Sequence, residues 1–207
     1  MTLTELFAGQ PVMAILRNFS TERSVELANR AWDLGIDIVE VPIQTSDAVP
    51  ALEAVIAAGR ERGRTVGAGT VITPEQVDLS ARLGAGFTVA PGLSRDVIER
   101  SVKAGTPHLP GIATASEIQA AIALGCDWVK AFPAALLGTE WFRAMRGPFP
   151  ALNFVATGGL AAQNAAPYLD AGVRCVALGS ALADPQQADE LVSILKDRAR
   201  EGNEPTP

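Results

Sequence analysis

Few residue types in this chain can do covalent chemistry, so the exceptions stand out. Lys130 lies in "CDWVKAFPAALLG", residues 126–138, a run that is otherwise mostly apolar. Desolvation disfavours the ammonium form and lowers its pKa, which is how a lysine becomes a carbonyl nucleophile. The same segment also fits a surface lysine at a strand end with its head in water. Glu40 is enclosed in the same way in "IVEVPI", between Val39 and Val41. It can carry protons beside an amine, or it can serve as a structural partner for Arg17 or Lys130. Both readings bring Glu40 close to a cation.

The rest of the inventory removes other chemistries. His108 is the single histidine and sits between prolines in "TPHLPG", the setting of a packed, hydrogen-bonded ring. No G-x-S-x-G elbow accompanies it. A histidine-based metal cluster cannot be assembled, and neither a metal nor a cofactor is expected. "GAGTVITPEQ" lacks the third glycine of a dinucleotide fingerprint. Cys126 and Cys175 form no CxxC and suggest no disulfide framework. A net charge of −6 argues against nucleic acid or an anionic membrane as partner, so any anionic substrate must be held by local donors. "MTLTELFAGQ" has no basic segment followed by an apolar one, and no run reaches membrane-spanning length. A cytoplasmic protein is expected.

What could position Lys130 and Glu40? With 207 residues and 48% hydrophobic content, the chain can bury a sizeable core. Short apolar runs recur: "PVMAILR", "IDIVEVPI", "TVGAGTV", "FTVAPG", "TPHLPGI", "WVKAFP", "FVATGG" and "CVALGS". Between them lie helical spacings, such as Leu27 with Ala31 and Leu34, Leu52 with Val55 and Ile56, Ile98 with Val102, and Ile118 with Ala121 and Ile122. Most of these helices stop at a glycine, namely Gly35, Gly84, Gly105, Gly125 or Gly172, each suited to a left-handed C-terminal cap. "TPEQ", "SRDV" and "TASE" supply starts, with Thr114 or Ser116 as cap in the last. About eight strand–helix–glycine units predict a compact parallel (β/α)8 barrel, with a doubly wound open sheet as the competitor. One domain over residues 1–200 is expected, with "EGNEPTP" at 201–207 as a polar, flexible tail.

A barrel collects its active site at the carboxyl ends of its strands. There the runs deliver Arg17, Glu40 and Gln44, Thr70, Pro91, Lys130 with Phe132, Thr157-Gly158-Gly159, and Gly179-Ser180. The glycine pairs follow the seventh and eighth strands, where backbone N–H groups and a helix N-terminus commonly hold phosphate. Either pair alone also fits an ordinary turn.

"MAILR", "VEVPIQT", "VGAGTV", "APG", "LPGIATASE", "VKAFPA", "MRGPFP", "VATGG" and "ALGSAL" together resemble the 2-keto-3-deoxy-6-phosphogluconate (KDPG) aldolase family, in order, from about Val12 to Leu182. The resemblance implies a class I aldolase, usually a homotrimer, acting on a phosphorylated six-carbon keto sugar acid in the Entner–Doudoroff route. It implies Lys130 as Schiff-base lysine and Glu40 as acid–base. Arg17 and Thr70 fall at the keto-acid end, Pro91 and Phe132 on the pocket walls, and Gly158, Gly159, Gly179 and Ser180 at the phosphate end. Many members carry a second arginine where this chain has Gln44, which leaves Arg17 as the main charge for the carboxylate. Thr157 resembles gluconate-type members; galactonate-type members tend to have valine there. The uncharged Gln44 points the other way. The galactonate epimer, 4-hydroxy-2-oxoglutarate, a sugar-phosphate isomerase or epimerase, and a barrel that only binds a phosphorylated ligand are the alternatives.

Overall fold

In the computed structural model of the chain, residues 1–179, 182–184, 187 and 190–195 are described. The 201–207 segment, expected as a tail, and Ser180, expected at the phosphate end, lie outside them. A short helix α1 (Leu3–Phe7) precedes strand β1 (Val12–Ile15). Then follow α2 (Thr21–Asp33), β2 (Ile38–Pro42), a 3-10 turn at Ser46–Ala48, α3 (Val49–Glu61) and β3 (Val66–Gly69). Next come α4 (Pro74–Leu83), β4 (Phe87–Val89), α5 (Arg95–Ala104), β5 (His108–Leu109) and β6 (Gly111–Ile112). The described elements end with α6 (Ala115–Ala123), β7 (Trp128–Ala131), α7 (Ala134–Leu137), α8 (Thr139–Arg146), β8 (Asn153–Thr157), α9 (Ala162–Asp170) and β9 (Cys175–Leu178).

The nine strands are all parallel, in the order β5-β4-β3-β2-β1-β9-β8-β7-β6. The first strand thus pairs with the last, and the sheet rolls into a nearly closed barrel. This is the expected barrel and not the open doubly wound sheet. The run "TPHLPGI", read as one strand, is split in two. Pro110 has no N–H to give to a ladder, so β5 pairs with β4 and β6 with β7 on either side of it. The Pro110 carbonyl still accepts from the Lys130 amide at 2.8 Å, which ties the break to β7.

Strand side chains alternate between faces, so the barrel has two apolar layers. One fills its inside, with Met13, Ile15, Ile38, Phe87, Val89, Leu109, Trp128, Val155, Cys175 and Ala177. The other lies between the strands and the surrounding helices, for example Val39, Val41, Leu52, Val77, Phe142 and Phe154. Helix α1 closes the amino end of the barrel. Leu3 and Phe7 join the inner cluster, Phe7 stacks on Trp128 at 4.7 Å between ring centroids, and Trp128 Nε1 donates to Thr4 Oγ1 at 2.9 Å. This plug was not anticipated from "MTLTELF".

The five glycines expected to end helices all have φ between +66° and +91°. Thr73 and Thr114 cap α4 and α6 through capping boxes, which decides between Thr114 and Ser116, whereas Ser94 precedes α5 without a side-chain cap bond. Two residues assigned by helical spacing to buried faces are exposed, Val102 at 74% and Ile122 at 46%. The buried stripes centre on Val97, Ile98 and Ser101 in α5 and on Ile118 and Ala121 in α6, leaving both side chains at the rim. No described helix is long and apolar enough to cross a membrane.

Candidate active site

Inward alternation carries Arg17 beyond Met13 and Ile15, Glu40 beyond Ile38, Lys130 beyond Trp128, and Thr157 beyond Val155. All four therefore belong to the carboxyl-end half of the barrel. Register sets their levels: Glu40 lies opposite Ile15 and Gly67, and Lys130 opposite Gly111 and Val155. Glu40 is fully buried and Lys130 is 2% exposed. Two charged side chains inside an apolar barrel are costly unless they are paired or used.

They are not paired in the ordinary sense. No ion pair joins them within 4 Å, and neither carboxylate oxygen of Glu40 has a hydrogen-bond partner. The expectation that Glu40 bonds Arg17 or Lys130 to satisfy its charge is thus not met at contact distance, although the three groups sense one another. Burial pushes the Glu40 carboxyl above the usual carboxylate range, and the Lys130 and Arg17 charges oppose this. Burial likewise pulls the Lys130 ammonium below its ordinary value; Glu40 resists that shift and the Arg17 cation adds to it. Both shifts run toward the uncharged forms of the two groups.

Around this pair the walls are specific. Lys130 Nζ stands 5.3 Å from the centroid of the Phe132 ring. That ring packs on Gly158, where a Cβ would come within 2.9 Å of two ring carbons; with φ at +98°, Gly158 is needed for its conformation as well. Gly158 also accepts from the Ala135 amide at 3.0 Å, so the "ATGG" turn and the loop after Lys130 are tied together. Pro91 lies against Gly111, whose added Cβ would sit 2.5 Å from the next amide nitrogen, Gly92. Thr157 is 4% exposed and its Oγ1 is buried without a partner.

Arg17 is exposed at the mouth and donates from Nη2 to Thr70 Oγ1 at 3.3 Å, joining two residues expected at one end of the site. Thr70 holds φ at +56°, a left-handed conformation unusual for a β-branched residue. Gln44 bonds the residue next to Arg17. Its Nε2 donates to Asn18 Oδ1 at 3.0 Å, and both residues line a cleft of about 370 Å³ between the β1–α2 and β2–α3 loops. At the other end, Gly159 has φ +71° and Gly179 follows β9. The Ala161 amide just before α9 is occupied by Asn164 Oδ1 at 2.9 Å. His108 is the packed ring expected: Nδ1 shares a hydrogen bond with Thr88 Oγ1 at 2.8 Å, and burial lowers its pKa to about 4. Among the described residues, no group of three His, Cys, Asp or Glu side chains could hold a metal ion. Sequence reasoning missed Gly69, against which the Glu40 carboxyl lies, and Asn18. Both contacts link different strands or loops, and no local pattern announces them.

A family model described as "Aldolase: KDPG and KHG aldolase" matches residues 3–196. The chain is 34% identical over 181 residues to a 2-dehydro-3-deoxy-6-phosphogalactonate aldolase of Escherichia coli K12, covering 87% of this chain and 88% of that protein. It is 36% identical over 190 residues to a 2-dehydro-3-deoxy-phosphogluconate aldolase of Treponema pallidum, covering 91% and 89%. A solved KDPG aldolase from Legionella pneumophila, with pyruvate captured at low pH as a covalent carbinolamine, matches with a TM-score of 0.79 at 32% identity over 95% of each chain.

Proposed function

The chain belongs to the KDPG and KHG aldolase family and is an aldolase, a lyase acting on phosphorylated keto sugar acids; from that premise we propose that it is a class I enzyme whose Schiff base forms on Lys130. The observation that carries this reading is a buried amine, with no ion pair within 4 Å among the described residues, sharing the barrel interior with a carboxyl group that has no hydrogen-bond partner. The carbinolamine captured in the Legionella protein is an intermediate of the same kind of chemistry.

Neutral Lys130 Nζ adds to the C2 ketone, and the carbinolamine, protonated on its hydroxyl from solvent, loses water to give an iminium. Glu40 takes the proton of the C4 hydroxyl, directly or through a water, as the C3–C4 bond breaks. The bonding pair moves into the iminium, which becomes the enamine of pyruvate, and glyceraldehyde 3-phosphate departs. Glu40 then returns a proton to C3, and hydrolysis releases pyruvate. Arg17, oriented by Thr70, holds the keto-acid carboxylate; Pro91 and Phe132 wall the pocket. Gly158, Gly159, Gly179 and Ser180 receive the phosphate. Gln44 Nε2 gives one of its two N–H groups to Asn18, which leaves the other able to meet the keto-acid end.

The substrate we infer is the gluconate epimer, in the Entner–Doudoroff route, because the Thr157 hydroxyl is buried, unpartnered and on the inward face of β8. A free hydroxyl there can pair with the C4 hydroxyl of one configuration. The galactonate epimer is the second reading, favoured by Gln44 and by the Escherichia relative. Comparing kcat/KM for the two epimers decides, and preference for the galactonate form overturns the choice. A homotrimer is part of the proposal, and light scattering should return three times the mass of one chain.

Pyruvate and borohydride test the nucleophile. The reduced adduct is expected on the peptide carrying Lys130, and labelling at Lys103 or Lys196 would sink the assignment. Lys130→Arg should be nearly inactive, because a guanidinium stays charged and forms no imine.

A further inference from the structure

Two inward positions of β3 are glycines, Gly67 and Gly69, and neither has the positive φ that makes glycine necessary for the backbone. Glycine inside a strand weakens it and often marks a close approach by another group. Both spaces are taken. A Cβ on Gly67 would run into the Phe87 ring, 2.7 Å from Cε1. A Cβ on Gly69 would overlap Glu40 Oε1 and Cδ and lie 2.8 Å from Cγ, with no other atom among its three nearest neighbours.

The register gives this contact a direction. Glu40 pairs at the level of Gly67, whereas Gly69 pairs with Pro42. The Glu40 side chain therefore leans across to β3 and toward the carboxyl end of the barrel, the end where Arg17 and Thr70 meet. No hydrogen bond fixes the carboxyl there. Its place is set by the room beside the Gly69 backbone.

We propose that Gly69 is a positioning residue for proton transfer: the absence of its side chain is the seat of the Glu40 carboxyl. This rests on the reading of Glu40 as proton carrier. A methyl group at Gly69 forces the carboxyl back by roughly 1–2 Å to reach ordinary van der Waals separation. Misplacement on that scale costs on the order of 10²-fold in rate, while the Lys130 amine keeps its own surroundings.

The test uses the full chain with Gly69→Ala, Glu40→Ala and the double variant. Gly69→Ala should lower the Tm in the wild-type background and leave it unchanged or raise it in Glu40→Ala, where the seat is empty. Gly69→Ala should still trap pyruvate with borohydride within a few-fold of wild type, yet lose solvent exchange of the pyruvate C3 protons by ~10²-fold. Equal Tm losses in both backgrounds, or parallel loss of trapping and exchange, overturn the proposal. If Gly69→Ala does not fold, folding of the double variant supports the seat and failure of both refutes it. Gly67→Ala, which meets Phe87 instead, should lower the Tm while trapping and exchange change together; selective loss of exchange there also refutes it. Glu40→Gln keeps the two readings distinguishable: normal exchange in that variant sinks the role given to Glu40, whereas the paired Tm values report on the seat itself.

Discussion

Replacing Phe132 with leucine should weaken imine formation, and the loss should depend on pH in a way packing alone does not explain. The Lys130 nitrogen is 5.3 Å from the ring centroid, inside the ~6 Å reach of a cation–π contact, and Gly158 fixes the ring from behind. The ring favours whichever state of that nitrogen is positive, by about 0.5–2 kcal/mol. Ammonium and iminium are both positive; the free amine is not. Above the pKa of Lys130, imine formation converts a neutral amine into a cation, so the ring's whole contribution appears in the equilibrium. At about 1.4 kcal/mol per tenfold, Phe132→Leu should then raise the pyruvate concentration for half-maximal trapping roughly 2- to 30-fold. Well below that pKa the starting ammonium already enjoys the ring, and the loss cancels. Leucine keeps an apolar wall without crowding Gly158. Borohydride trapping across a pyruvate series at two pH values provides the assay. An unchanged midpoint at both pH values, or an equal loss at both, refutes a charge-selective role for the ring.

Glu40 raises the pKa of Lys130 and Arg17 lowers it, so Glu40→Gln should move the acidic limb of the trapping profile to lower pH and Arg17→Met to higher pH; shifts of the same sign would be inconsistent with the electrostatics. Thr157→Val should reduce the preference for the gluconate epimer by roughly 1–3 kcal/mol in kcat/KM. Because the Thr157 hydroxyl has no partner, the same variant should keep or raise its Tm, and a marked fall would reveal a hydrogen bond not accounted for. Burial holds folded His108 at about 4 against an ordinary 6.5. The folded-state pKa is the lower one, so the stability it contributes is complete above 6.5 and is lost as the pH falls toward 4, by roughly 3 kcal/mol. Urea midpoints at pH 7 and pH 4.5 should therefore differ less in His108→Gln than in wild type, and an equal difference would refute the assignment.

Much of the barrel was legible because its signals are local. Each strand is a short apolar run, Gly35, Gly84, Gly105, Gly125 and Gly172 follow helices with a left-handed backbone, and Thr73 and Thr114 announce helix starts. Where the reading failed, the cause was interaction between distant parts of the chain. The run "TPHLPGI" reads as one strand, yet the missing N–H of Pro110 divides its pairing between β4 and β7. Helix α1 has an unremarkable sequence until Trp128 offers Phe7 a ring and Thr4 a donor. Within the site, Lys130 and Glu40 could be picked out because charge in an apolar run is conspicuous. Gly69 was read only as part of a motif, since nothing in "GAGT" reveals that a carboxyl from the neighbouring strand fills its empty side.

Strain at the mouth and slack at the centre then have complementary uses. Thr70 sits at φ +56°, a conformation that costs on the order of 1–3 kcal/mol for such a residue, and its hydroxyl accepts from Arg17. In the proposed mechanism Arg17 is the cation that meets the keto-acid carboxylate, and the bond to Thr70 gives its guanidinium a direction. In the interior the opposite holds. Glu40 is confined by shape but left without hydrogen bonds, which suits the proton-carrying role proposed for it. A carboxylate tied to a cation at contact distance would have its proton affinity lowered and its geometry committed. A hydrogen-bonded charge for binding and an unbonded one for proton movement thus require different neighbours. The barrel supplies them at adjacent positions: Gly69, the last residue of β3, makes room for Glu40, and Thr70, directly after it, accepts from Arg17.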